Sequence, residues 1–247
     1  MKKRIFKYFK DEKPISLSDE PGLSWEEALN RCPRLTKPWY ELSRLEPMVR
    51  FEFVRDYWIN ALPYHPQTLE ALDRFFAGVD EIAMIGVKSG VYTTYSMKGE
   101  APFFMGGPPL KDDEIEGLKE AIDFPLPEDF LKFYRIHNGF LKAGDTGVFS
   151  SGVLIEEAGR FQTLGVELKS GNKKARADSF LPFYRSFGLD VYQCFYEEWA
   201  TDAGVGNVLC SLSEKAFSES PITRDGERSL AFPTFTEWLS FYLEDIE

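Results

Sequence analysis

Few side chains in this chain have the types and spacing that bond-breaking chemistry needs. Its 247 residues include two histidines and three cysteines. His65 stands in LPYHPQ, a turn bounded by prolines, and His137 closes the apolar stretch LPEDFLKFYRIHNGF. Neither has a cysteine or carboxylate at metal-ligand spacing, so each reads as a structural histidine. Cys32, Cys194 and Cys210 are far apart, odd in number and free of any CxxC pairing, which argues against a disulfide framework and against structural zinc. Cys194 and Cys210 lie in apolar runs and read as buried thiols. No GxSxG, HExxH or Walker sequence occurs. Glu52 and Asp56 are spaced i, i+4, as paired acids or cation ligands would be, but Arg50 and Arg55 beside them suggest a solvated charged face. The sequence therefore assigns no catalytic residue, no metal and no cofactor, and the expectation is a protein that is not an enzyme.

Binding chemistry is better represented. In Tyr196-Glu197-Glu198-Trp199-Ala200-Thr201-Asp202, a tryptophan is flanked by three acids between two strand-like runs, a composition suited to gripping a basic partner at a sheet edge or loop tip. The opposing reading places Trp199 over the core with the acids merely solvated. Glu156-Glu157, after GVLI, is a second acidic candidate. Lys169-Ser170-Gly171-Asn172-Lys173-Lys174-Ala175-Arg176 is the one basic run of its half, but it lacks interleaved aromatics and reads as a polar loop without nucleic-acid contacts. Gly204-Val205-Gly206 reads as a strand turn, and Gly106-Gly107 as a linker.

The charge balance points the same way. The chain carries 29 Lys and Arg against 40 Asp and Glu, a net −11. Residues 1–110 hold 15 of each, so residues 111–247, with 14 basic and 25 acidic, carry the whole excess. An acidic surface repels nucleic acid and steers basic proteins toward it.

These candidates need elements to position them. Arg4–Phe9 reads as a short strand, and Ser24–Asn30 as a capped helix with Glu27 three residues after Ser24. Pro38–Asn60 reads as two helical pieces, the second opened by Pro47, and Gln67–Gly78 as an amphipathic helix. EIAMIGVKSGVYTTYSM changes to strand character and turns near Ser89-Gly90. The Gly-Gly and Pro-Pro pairs at 106–109 mark a boundary between a smaller helical plus β-hairpin domain, 1–110, and a second domain, 111–247. In the latter, Asp112–Ala121 and the LPEDF segment read as helices. GVFSSGVLI, FLPFYRSF, DVYQCFY and GNVLCSLS read as strands, and FPTFTEWLSFYLEDIE as a closing helix with Thr234 at its cap.

Apolar residues make up 43% of the chain and aromatics 15%, enough for a sizeable core. No stretch approaches the ~20 apolar residues of a membrane span, and Lys7 and Lys10 interrupt the opening MKKRIFKYFKDEK, so a soluble, cytoplasmic protein is expected.

Three segments carry a family resemblance. LPEDFLKFYRIHNGF, then SFLPFYRSFGLDVYQCFYEEW with GVGNVLC, then FPTFTEWLSFYLEDI occur in the order and spacing seen in the SUKH superfamily, the group of Syd and the Knr-type cell-wall regulators. Residues of about 111–247 resemble that superfamily. The resemblance implies an α+β fold with a central, mostly antiparallel sheet packed with helices, and binding in place of catalysis. It further implies an immunity-type protein that neutralises a basic toxin such as a nuclease, with a Knr-like regulator or adaptor as the alternative. Apart from the resemblance, a hydrolase is a third reading, one that would need His137 to face a pocket with a perturbed acid.

Overall fold

The structure, a computed structural model, describes residues 2–99, 102–170, 173–186, 191–212 and 230–244. The first 97 residues form α1 (Lys2–Tyr8), β1 (Ile15–Ser16), α2 (Trp25–Arg31), α3 (Lys37–Arg44), α4 (Pro47–Ala61), α5 (Pro66–Gly78), β2 (Val79–Val87) and β3 (Gly90–Met97). Then follow β4 (Phe104–Gly106), α6 (Asp112–Ala121), α7 (Glu128–Tyr134), β5 (Phe140–Lys142), α8 (Ser151–Thr163), β6 (Glu167–Ser170) and β7 (Lys173–Arg176). The chain ends with β8 (Phe180–Arg185), β9 (Val191–Thr201), β10 (Gly204–Ser211) and α9 (Phe235–Glu244). The fold is α+β, with antiparallel pairing throughout the described ladders.

Five strands pair in the order β1-β2-β3-β4-β5, and three in the order β10-β9-β8. Val148 bridges Phe140 of β5 on one side and Tyr184 of β8 on the other, so single-residue pairing joins the two arrays. β2 shows how the layers form. Its residues are buried almost without alternation because both faces of the sheet are covered. Ile82 and Met84 enter the main core, while Ala83, Ile85 and Val87 meet Ile5 and Phe9 of the N-terminal segment on the opposite face.

On the main-core side, Trp58 of α4 is fully buried among Phe75, Tyr95, Phe133 and Phe140. Burying one such ring contributes roughly 1.5–3 kcal/mol. α7 and α9 meet through Asp129. Its Oδ2 accepts from the Thr236 backbone N–H and hydroxyl, both at 2.8 Å, while Thr234 Oγ1 caps α9 by accepting from Glu237 N at 3.2 Å. Ser24 and Glu27 form the expected capping box at α2.

Four local readings need correction. Arg4–Phe9 is not a strand but lies in and just after α1, because Ile5 and Phe9, four residues apart, bury on one side. Part of GVFSSGVLI is helical: only Val148 bridges strands, and α8 begins at Ser151. Its first turn is satisfied from a distance, since Asn138 Oδ1 accepts from Ser151 N at 2.6 Å. The basic run at 169–176 is the β6–β7 ladder, with its turn residues 171–172 outside the described residues. Leu168 and Ala175 are buried there, and Lys174 pairs with Glu167 at 3.2 Å.

The fourth correction concerns Gly106-Gly107, which is no linker. Gly106 belongs to β4, and a Cβ on it would overlap the His137 imidazole. At Gly107 a Cβ would press on the Asn138 carbonyl. Strand pairing and packing cross this point: β4 pairs with β5, Leu110 N donates to Tyr134 O at 2.9 Å, and α5 packs along α9.

Candidate partner-binding surfaces

Glu197, Glu198 and Trp199 lie in the last turn-ward residues of β9, and Asp202 lies in the turn to β10. Strand alternation alone does not set their positions, because the β9–β10 register slips between Val205 and Asn207. That bulge sets Gly206 beneath Trp199, where a Cβ would overlap the indole. The indole is therefore half-buried against the sheet, with one side left to solvent. Glu197, Glu198 and Asp202 are exposed around it. Glu198 Oε2 accepts from the Tyr196 hydroxyl at 2.8 Å, which holds that carboxylate in place. Among the described residues none of the three acids is in an ion pair.

The second acidic pair sits elsewhere. Glu156 and Glu157 lie in the middle of α8, Glu156 exposed and Glu157 half-buried. Glu157 Oε2 accepts from Arg160 at 2.6 and 2.8 Å, and the Arg160 guanidinium lies over the Phe161 and Tyr192 rings. Tyr192 is the second residue of β9 and Trp199 is seven residues further along the strand, about 23 Å at ~3.3 Å per residue. The two acidic candidates are thus separate patches, and Glu157 is neutralised within its own.

His137 tests whether the fold carries a reactive base. It is 2% exposed and sits among Trp58, Tyr95 and Phe140. Trp58 Nε1–H donates to the Tyr95 oxygen at 3.0 Å, and Tyr95 O–H donates to His137 Nε2 at 2.6 Å. His137 Nδ1–H donates to Gly107 O at 3.0 Å. Burial in this apolar box lowers the imidazole pKa to about 4 and pushes the Tyr95 hydroxyl far up. Both ring nitrogens are committed and the ring is neutral, so His137 fastens the sheet to the segment after α7 and has no free position for a substrate proton. His65 precedes α5, and its Nδ1, shielded from solvent, meets no hydrogen-bond partner among the described residues.

The helix bearing Glu52 and Asp56 differs from its sequence reading. Both acids are exposed, but Arg50 is buried at 3% exposure. It donates to the carbonyls of Leu42, Ser43 and Leu45 at the end of α3, and to Ile82 O of β2. Sequence reasoning missed this residue because its four acceptors come from two other elements. Cys32, Cys194 and Cys210 are buried free thiols, and burial raises the pKa of Cys194 beside Cys210. No cluster of three or more His, Cys, Asp or Glu able to hold a metal occurs among the described residues. In the same residues no helix is long and apolar enough to cross a membrane.

In this α+β scaffold His137 is neutral and fully bonded, and solvent-facing acids surround a half-buried tryptophan at the β9–β10 turn. Residues 109–240 match the SMI1 / KNR4 family (SUKH-1), and the chain belongs to that family, one of immunity and regulatory domains. No curated protein and no solved structure matches the chain.

Proposed function

We propose that this protein binds a basic protein partner through the end of the β9–β10 hairpin, as an immunity-type protein that blocks a toxin. The observation that carries this reading is the half-buried Trp199, fixed over Gly206 and ringed by exposed Glu197, Glu198 and Asp202. A rigid aromatic supplies contact area at small entropic cost, and acids around it speed association with a positive surface. Nuclease toxins are basic because they bind phosphate, so they suit this patch. Residues 111–247 carry the chain's whole acidic excess, which adds long-range attraction. The proposed setting is the cytoplasm.

The test is capture of purified basic nuclease toxins by the full chain, then co-expression with one that binds, comparing the wild type with the triple variant Glu197→Lys, Glu198→Lys, Asp202→Lys. The wild type is expected to restore growth, and the triple variant to lose protection and toxin capture while keeping its unfolding midpoint. Equal protection by a folded triple variant would refute the assignment of the patch.

A further inference from the structure

The turn after β5 holds a carboxylate that has no counter-ion among the described residues. Gly144 and Gly147, with φ of 95° and 74°, let the chain fold back there, and Asp145 lies between them. Asp145 Oδ2 accepts from the Tyr184 hydroxyl of β8 at 3.0 Å and from the Tyr242 hydroxyl of α9 at 3.3 Å. Its Oδ1 accepts from Thr146 N at 2.7 Å. The Tyr242 oxygen in turn accepts from Lys142 N at 3.0 Å, which ties the assembly to β5. These donors are all neutral, so they fix the half-buried carboxylate without cancelling its charge.

Asp145 lines a recessed cavity of about 140 Å³. Three rings line it too: Trp238 and Tyr242 stack at 5.2 Å, and Tyr184 meets them at 5.4 and 5.7 Å. Gln193 of β9, only 2% exposed, completes the polar lining from the sheet. Its Nε2 donates to Asn207 Oδ1 and to Leu230 O, which fixes the amide's orientation and turns Oε1 the other way. That oxygen accepts no hydrogen bond among the described residues, yet it is not sealed within the protein, so it opens on the cavity. A buried amide oxygen left this way lacks about 1–3 kcal/mol that a donor would return.

Together these groups select the occupant. A carboxylate, an amide oxygen and aromatic rings all attract a positively charged N–H donor. An anion would meet the carboxylate, and an apolar group would leave the Gln193 oxygen unbonded. The Ser186 hydroxyl, also in the lining, accepts as readily as it donates. Lys142 is the one cation of the lining, and no ion pair joins it to Asp145. A cavity this small holds an ammonium on a short alkyl chain or a guanidinium, and excludes a nucleotide or a folded peptide element.

We propose that the cavity between the β5 turn, β8, β9 and α9 binds an alkylammonium or guanidinium group, with Asp145 and Gln193 Oε1 as its acceptors and Trp238 and Tyr242 as its wall. Such a group comes either as a free small amine or as a lysine or arginine side chain of another protein. Gln193 lies six residues before Trp199 on β9, about 20 Å at ~3.3 Å per residue, so this site is separate from the hairpin patch and either can fail alone.

The experiment is titration of the full chain with n-butylamine and agmatine at constant ionic strength, read from the Trp238 indole N–H resonance, with 1-butanol as the uncharged control. Both cations are expected to shift that resonance saturably and the alcohol not to. Asp145→Asn keeps an acceptor for the two tyrosines but removes the charge, and is expected to bind at least about tenfold more weakly. Lys142→Ala removes the competing cation and is expected to bind more tightly, and the hairpin triple variant to bind as the wild type does. Blocked lysine and arginine amides separate the two sources: binding as tight as that of the free amines supports a side chain of another protein, and their exclusion supports a free amine. No saturable shift with either amine, an equal shift with 1-butanol, or equal binding to a folded Asp145→Asn protein would overturn the proposal. So would binding that appears only in Lys142→Ala, which would assign the cavity to the chain's own lysine. Should Asp145→Asn not fold, weaker binding by Lys142→Ala than by the wild type would overturn it.

Discussion

His137 gives the sharpest quantitative expectation. In the unfolded chain its imidazole takes up a proton near pH 6.5, whereas in the folded state burial lowers that to about 4. The folded-state value is depressed, so between these values the unfolded chain holds more protons, and stability falls as pH falls. At about 1.4 kcal/mol per pH unit, this one group costs the folded state about 2 kcal/mol by pH 5 and about 3 kcal/mol by pH 4. The carboxylates of so acidic a chain also titrate in this range, so the wild-type profile alone does not isolate the effect. The comparison with His137→Gln does. That variant leaves Tyr95 and Gly107 O poorly paired, a loss of about 2–4 kcal/mol at pH 7.5. At pH 5 the same difference is expected to shrink by about 2 kcal/mol, because the wild type alone carries the proton penalty. Urea unfolding followed by tryptophan fluorescence at the two pH values measures it, with Trp58 in contact with the histidine and Trp39 beside it. If the variant's destabilisation is the same at both pH values to within about 0.5 kcal/mol, the buried neutral histidine is wrong.

Two further substitutions test positions that hold the elements together. Arg50→Met strips four carbonyls of their donor and is expected to lower unfolding free energy by about 3–5 kcal/mol in denaturant titration, while Asp56→Asn on the exposed face changes it by no more than about 0.5 kcal/mol. Gly106→Ala sets a methyl against the His137 ring and is expected to cost about 1–3 kcal/mol, with displaced His137 resonances in the NMR spectrum; an unmoved ring would refute the close packing.

Much of the architecture was legible from short-range signals. The Ser24 box, the prolines at the start of α3 and α4, and the Ser89-Gly90 hairpin are all encoded within a few residues of where they act. So were β8 to β10 and α9, whose aromatic and β-branched runs mark their periods, and the family match at 109–240 lies close to the stretch where the three motifs fall. The acidity of residues 111–247 is likewise a property of the sequence.

Tertiary structure decided the rest, because those features depend on groups distant in the chain. α8 begins where Asn138 supplies its cap, and Arg50 turns inward because α3 and β2 present carbonyls to it. Gly106 must lack a side chain because His137, thirty-one residues later, packs against it. Glu157 reads as a free acid until Arg160 is seen holding it, whereas Glu197 and Asp202 remain open to solvent. On α4 itself Val54 and Trp58 are buried while Val49, Phe53 and Tyr57, equally apolar, stay exposed. Sequence periodicity records which side chains share a helix face, and only the packed neighbours determine which face water still touches.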